Sequence, residues 1–386
     1  MSLILETRAS SSITRRRSMV CFVCEAIWRR DEGGYEVCAV DVPTSSRALG
    51  STSKSMVLGE PLFHLPNTYP VTMNFFAFGS KIYFFGGCPP GHSRLLSKDV
   101  YVYDTSSPGI RKVGCMNLGK LGAVVIGPVN DKFYVMSQIL TFRDFEVFDP
   151  NCNAWYYPTQ PPVHHFPSPL NGPFKICAYA VVNNGREILL STQSSGLFSY
   201  DTVERDWSHF PERSLPFQGG AVPIGGDRYL VFLERYQMVL GTYCYNSSNN
   251  GWYDFQCIWR GGNAITHRQI ASPLWLGDGL VCGVLSGYNR SPYDLDLAAP
   301  SNLCIEMGFY RARAGQVKFL SFQRYRNKYD MKKFHRWMIA SFPLCLETVA
   351  STSETEEVYS QGKRKSDKGD SGAIECIAKK SRRIAS

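Results

Sequence analysis

Asp104, Asp149, Asp201 and Asn246 each close a short apolar run, and they stand 45, 52 and 45 residues apart. The runs are Asp99-Val-Tyr-Val-Tyr-Asp104, Phe145-Glu-Val-Phe-Asp149, Leu197-Phe-Ser-Tyr-Asp201 and Gly241-Thr-Tyr-Cys-Tyr-Asn246. Their alternation is the period-2 signature of a half-buried strand. A second apolar run precedes each: Lys81-Ile-Tyr-Phe-Phe85, Asp131-Lys-Phe-Tyr-Val-Met136, Gly185-Arg-Glu-Ile-Leu-Leu190 and Gly226-Asp-Arg-Tyr-Leu-Val-Phe232. Behind the last three copies comes a tryptophan: Trp155, Trp207 or Trp252. Self-similarity at this period marks one supersecondary unit repeated along the chain. Such a unit cannot cover both of its apolar faces alone, so successive copies must pack on one another.

Composition agrees with an all-β reading. Charged residues make up only 19% of the chain, while 33 glycines and 22 prolines punctuate it throughout. No apolar run approaches the roughly 18 residues of a membrane helix, and Met1-Ser-Leu-Ile-Leu5 stops at Glu6, too short for a secretory segment. The expectation is a soluble intracellular protein, nuclear, cytoplasmic or both. Most of the 13 cysteines sit in apolar segments, among them Cys177, Cys244, Cys282 and Cys304, and read as reduced structural thiols. Cys21-Phe-Val-Cys24 has ligand-like spacing. In the strand around it, however, residues three apart point to opposite faces, so no metal is expected there.

The order glycine turn, apolar strand, small residues, strand ending in Tyr/Phe-Asp, and later Trp resembles the kelch repeat, one four-stranded blade of a β-propeller. It covers roughly residues 70–260. The repeat-defining residues are Gly86, Gly87, Asp104, Asp149, Trp155, Asp201, Trp207 and Trp252. The glycine pair stands only in the first copy; Ser137-Gln138 and Ser191-Thr192 replace it in the next two, and the first copy has no Trp. The resemblance implies inner strands converging on an axis, where glycine permits close backbone approach, and Trp packed between adjacent sheets. Asp at a strand end bonds nearby N–H groups and fixes the turn.

Ala271–Leu285, Leu303–Glu306 and Val317–Phe322 read as a further unit, and Met19–Ile27 with Tyr35–Asp41 as a hairpin. Arg336–Phe342 supplies a last strand that closes the ring. The expected architecture is an all-β, kelch-type propeller of six blades over residues 19–348, with five or seven as alternatives. It lies between a disordered N-terminal segment, 1–18, and a disordered basic tail, 349–386.

For function, no Gly-x-Gly-x-x-Gly or Walker spacing leads into a helix after Gly87, which argues against a nucleotide loop. No catalytic residue, cofactor or metal is expected. Divergent kelch domains of this type are similar to those of plant F-box/kelch-repeat proteins, which select substrates for ubiquitin ligases. Here Leu65-Pro66 runs into Asn-Thr-Tyr-Pro70 and a strand, not into the leucine-rich helices of an F-box. The expected role is non-catalytic recognition of a protein partner, related to such substrate selection. The alternatives are a propeller oxidase or hydrolase with a site over the central channel, and a basic nucleic-acid-binding surface. Between Arg311 and Arg336 nine basic residues meet one acid, Asp330. Within that stretch Arg324, Arg326, Lys328, Lys332 and Lys333 form a candidate docking patch for an acidic protein or nucleic acid. In the tail, Lys363, Arg364 and Lys365 are separated by 13 residues from Lys379, Lys380, Arg382 and Arg383. These clusters resemble a bipartite nuclear-import signal, which implies an importin partner.

Overall fold

The computed structural model describes residues 14–26, 34–42, 56–92, 95–139, 143–162, 175–234, 238–249, 251–260, 267–288, 303–326 and 336–349. They are strands joined by turns, with one 3-10 turn at Asn183–Gly185 and no α-helix among the described residues. The chain opens with β1 (Thr14–Ala26), β2 (Gly34–Asp41), the short β3 (Met56–Val57) and β4 (Phe63–Pro66). Next come β5 (Asn74–Phe78), β6 (Lys81–Phe85), β7 (Asp99–Asp104) and β8 (Ile110–Cys115), and then β9 (Ala123–Val129), β10 (Lys132–Ser137), β11 (Glu146–Asp149) and β12 (Ala154–Tyr156). A fourth group holds β13 (Ile176–Val182), β14 (Glu187–Thr192), β15 (Gly196–Asp201) and β16 (Asp206–Phe210). A fifth holds β17 (Gln218–Gly225), β18 (Arg228–Glu234), β19 (Met238–Asn246) and β20 (Gly251–Arg260). The last strands are β21 (His267–Gly277), β22 (Leu280–Tyr288), β23 (Leu303–Arg313), β24 (Gln316–Arg326) and β25 (Arg336–Val349).

Five of these groups are antiparallel meanders of four consecutive strands. The remaining group joins the two ends of the chain, in the order β25, β1, β2, β4. Apolar clusters link each meander to the next. Phe63 and Leu65 of the terminal meander pack with Phe75, Phe84 and Tyr103, and Phe76 and Phe85 pack with Phe133 and Phe148. Tyr134 and Phe145 meet Ile188 and Tyr200; Leu189 and Leu197 meet Tyr229 and Val231. Leu230 and Leu240 meet Val281 and Tyr310. Finally Cys282 and Met307 meet Val20 and Phe22, which returns the packing to the terminal meander. Every sheet hides its two faces on two neighbours and the series closes, so the fold is a β-propeller. Each fully buried aliphatic or aromatic side chain contributes roughly 1.5–3 kcal/mol, and no meander has that burial alone.

The first strands of successive meanders lie against one another: β5 against β9, β9 against β13, β13 against β17 and β17 against β21. β13 and β17 pair in parallel there, Ala178 with Gly219 and Tyr179 with Gly220, which merges two meanders into one eight-stranded sheet. In each antiparallel meander the first-to-second and third-to-fourth turns lie at one end. The second-to-third connection and the link to the next meander lie at the other. At the turn end, Asp104 Oδ1 accepts from Ser106 N (3.0 Å) and Asp149 Oδ1 from Asn151 N (3.0 Å). Asp201 Oδ1 accepts from Val203 N (2.8 Å) and Glu204 N (2.9 Å), and Asn246 Oδ1 from Ser248 N (2.9 Å). These backbone donors, with the Arg186 guanidinium, hold the Asp201 carboxyl below the usual carboxylate range.

Strand register explains the tryptophans. Phe148 lies opposite Trp155, Tyr200 opposite Trp207, and Tyr245 opposite Trp252. Each Trp meets rings at an interface between sheets: Trp155 with Phe85 (5.9 Å), Trp207 with Phe145 (5.1 Å), Trp252 with Phe217 (4.9 Å). In the first copy Ile110 takes this position, opposite Tyr103. Tyr103 there stacks instead on Phe63 of the terminal meander at 4.2 Å, so the neighbouring sheet supplies the missing ring.

Some details depart from the sequence expectation. β1 begins at Thr14 rather than Met19, and Arg17 in it donates to Asp41 of β2, so the strand takes in residues assigned to the leading segment. β3 adds a fifth strand to the β21–β24 sheet, parallel to β24, and straps the first part of the chain to the last. Cys21 lies in the apolar cluster shared with β5 and β6, while Cys24 faces Leu303 on the other side of the strand. No disulfide joins the twelve described cysteines.

Candidate functional site

The connections at the loop end form one hydrogen-bonded row across three adjacent meanders. Val71 N donates to the Cys88 carbonyl (2.8 Å) and Cys88 N to the Val71 carbonyl (2.9 Å). Gly87 N donates to the Lys120 carbonyl (2.8 Å), Gln138 N to Gly122 (3.0 Å) and Ile176 N to Gln138 (2.8 Å). The described residues of segments 67–73, 86–98, 116–122 and 138–145 are thereby held side by side. The first is fixed from below, where the Tyr35 hydroxyl donates to the Pro70 carbonyl (2.7 Å) and accepts from Met73 N (3.0 Å). Thr72 N donates to buried Glu25 (2.7 Å). Burial pushes the Tyr35 hydroxyl well above its ordinary pKa, so it keeps its proton and remains a donor.

Gly86 and Gly87 are central to this row. Both have left-handed backbone, φ 73° and 80°, a conformation open to glycine and strained for other residues. A Cβ on Gly86 would stand 2.6 Å from the Lys120 carbonyl, and one on Gly87 would collide with the Val71 carbonyl. The glycine pair therefore permits backbone approach between connecting loops, beyond the strand it follows. In the fourth group of strands Ser191 does related work with its side chain: its Oγ accepts from Leu215 N (3.3 Å) of the next connecting loop.

Under the row lies a buried ionic cluster. The Lys120 ammonium, fully enclosed, donates to the Asp144 carbonyl (2.8 Å), Asp144 Oδ1 (2.8 Å) and Glu146 Oε1 (2.9 Å). Asp144 Oδ2 accepts from Ser137 N (2.9 Å). Glu146 Oε1 accepts from Leu118 N (3.1 Å), and its Oε2 from Asn117 N (2.9 Å) and Nδ2 (2.8 Å). All three ammonium protons and all four carboxylate oxygens have partners, as a buried charged group requires. The cluster ties segment 116–122 to the start of β11, and each of its charged atoms is engaged within the fold. Sequence reading missed it. Its trace was Asp144-Phe-Glu146, two acids on one face at the start of an otherwise apolar strand.

Several exposed apolar side chains stand on these loops. Val71, Leu95, Leu96, Leu121, Ile139 and Tyr157 are 39–61% exposed and all lie on loops of this end. The other exposed bulky residues, such as Val203, Tyr253, Trp275 and Phe319, are scattered over outer strands and turns. At the turn end a cavity of about 530 Å³ is lined by Phe78, Ser80, Lys81, Ser106, Asn151 and Cys345. Ser80 and Ser106 there already bond Asp104. Among the described residues no three His, Cys, Asp or Glu side chains gather as metal ligands.

The basic patch predicted from sequence fares differently. Arg324 is drawn inward: it lies opposite Glu306 in register, donates to it from Nε (2.9 Å), and neutralises a carboxylate that is fully buried. The strand alternation that should have turned Arg324 to solvent instead sets it over a charge that needs a partner. The Arg326 side chain, Lys328, Lys332 and Lys333, and the whole of 363–386, lie outside the described residues.

Residues 17–237 match the family model described as a protein of unknown function, DUF1668, which is more than half of the chain. The chain belongs to the DUF1668 family. The match runs from within β1 to just past the end of β18, so the loop row and its ionic cluster lie within the part that defines the DUF1668 family. No curated protein matches the sequence. Among solved structures, the WD40 domain of Toxoplasma gondii coronin is similar, with a TM-score of 0.39 and 10% identity over 80% of this DUF1668 chain and 69% of that chain.

Proposed function

We propose that this DUF1668 chain is a non-catalytic recognition module, a six-bladed propeller of kelch type whose loop end holds a partner protein. The observation that carries the reading is the row of cross-bonded loops bearing six exposed apolar side chains at one end. Exposed apolar side chains gathered at one end of a fold mark contact sites. The six four-stranded groups and the ring they close support the blade count, and the Asp-capped turns with Trp at the sheet interfaces support the kelch type. Selection of substrates for a ubiquitin ligase is the setting suggested by the sequence resemblance alone.

A variant carrying Leu95→Asp and Leu121→Asp puts two charges on the platform at exposed positions, so its folding is expected to match that of the wild type. Proximity labelling in cells is expected to lose a discrete set of proteins with this variant. An unchanged labelled set, with the variant folded, contradicts the reading.

We further propose that Lys363, Arg364, Lys365, Lys379, Lys380, Arg382 and Arg383 bind an importin and carry the protein into the nucleus. Removal of 363–386 is expected to abolish nuclear accumulation of a fluorescent fusion; accumulation that persists contradicts it.

A further inference from the structure

Along the row of cross-bonded loops the described charge is one-sided. On segments 67–73, 86–98, 116–122, 138–145 and 157–162 and at residue 175, the described exposed ionisable side chains are His92, Lys98, Arg143 and Lys175. The one carboxylate on those segments is Asp144, buried and paired with Lys120. Glu146 and Glu25, which border the segments, are buried as well. Asp99, next to Lys98, is engaged by Lys112 at 2.6 Å. On these segments the acid is thus turned inward and paired with Lys120, while Lys98 and Lys175 are exposed on the same loops as Val71, Leu95, Leu96, Leu121, Ile139 and Tyr157.

From this arrangement we infer that the platform takes a protein segment in which bulky apolar side chains are flanked by Asp or Glu. The inference rests on the recognition role proposed above and specifies the partner's chemistry. Apolar anchors enter the greasy centre and release water. Carboxylates on the partner meet Lys98 and Lys175, which steers encounter and rejects basic sequences. A nucleic acid fits the same surface poorly. Single strands are held by stacking on aromatic rings, and here the exposed apolar groups are aliphatic except Tyr157.

The test uses the full-length protein and a phage-displayed library of random 16-residue peptides. Peptides selected on the wild type are counter-screened on the Leu95→Asp, Leu121→Asp variant and on a Lys98→Glu, Lys175→Glu variant. Enriched sequences are expected to combine Leu, Ile or Phe with Asp or Glu. The leucine variant should lose them, and charge reversal should weaken them by about tenfold, with the deficit shrinking as salt rises. Neutral or basic peptides that depend on Leu95 and Leu121 overturn the acidic partner while leaving the recognition face in place. Peptides indifferent to both variants, or no enrichment, overturn both. A fluorescein-labelled oligo-dT probe whose binding is lost on reversal of Lys98 and Lys175 also overturns the inference, since the anion is then nucleic acid.

Discussion

Lys120→Met lowers the stability of the propeller by about 3–5 kcal/mol, the loss seen when one partner of a buried ion pair is removed. Methionine nearly matches the lysine stem in shape, so the effect isolates the ammonium. Without it Asp144 and Glu146 face each other across an apolar site with three hydrogen bonds gone. The damage spreads, because segment 116–122 also accepts from Gly87 N and Gln138 N. Guanidinium unfolding followed by tryptophan fluorescence measures the change. Lys112→Met, which removes a largely exposed pair with Asp99, serves as the comparison and is expected to leave the midpoint in place. Adding Asp144→Leu and Glu146→Leu to Lys120→Met should recover much of the loss, since an apolar replacement of a whole buried cluster is tolerated better than half of one.

Gly87→Val is the second large effect, at about 3 kcal/mol, combining left-handed strain on a β-branched residue with a backbone collision. The strain and collision terms can be separated. Gly79 has similar left-handed backbone, φ 59°, with open space around its Cβ position. Gly79→Ala should therefore show the conformational term alone, about 1 kcal/mol. If Gly87→Val costs no more than Gly79→Ala, the Val71 carbonyl is not the obstacle and the loop row is looser than described. The same variant is expected to weaken partner capture, since Gly87 joins segments 67–73 and 116–122 through Val71 and Lys120.

Much of this architecture was legible in the residues. The spacing of Asp104, Asp149, Asp201 and Asn246 reports a turn that needs a side-chain acceptor in every repeat, and alternation reports strands with one face on each neighbour. Those are local requirements, and local sequence carries them. β3 was not legible, because two residues hold no periodicity and their pairing with β24 depends on chain returning from a distant part of the sequence. Nor was the ionic cluster, in which Lys120 meets acids 24 and 26 residues away across a sheet boundary. Arg324 misled for a related reason: basic residues in a strand look like a solvated face until the cross-strand residue is known, and here it is Glu306. The apolar platform escaped notice because Val71, Leu96, Leu121 and Ile139 read one at a time as ordinary loop residues. Only the closed ring brings them to one end.

Hydrogen–deuterium exchange of the chain alone and with its captured partner tests the central claim most directly. Slower exchange in segments 67–73, 86–98, 116–122 and 138–145, with the turns at Ser106, Asn151 and Val203 unchanged, is the predicted result. Protection confined to those turns, with the loop end exchanging as it does alone, contradicts the account.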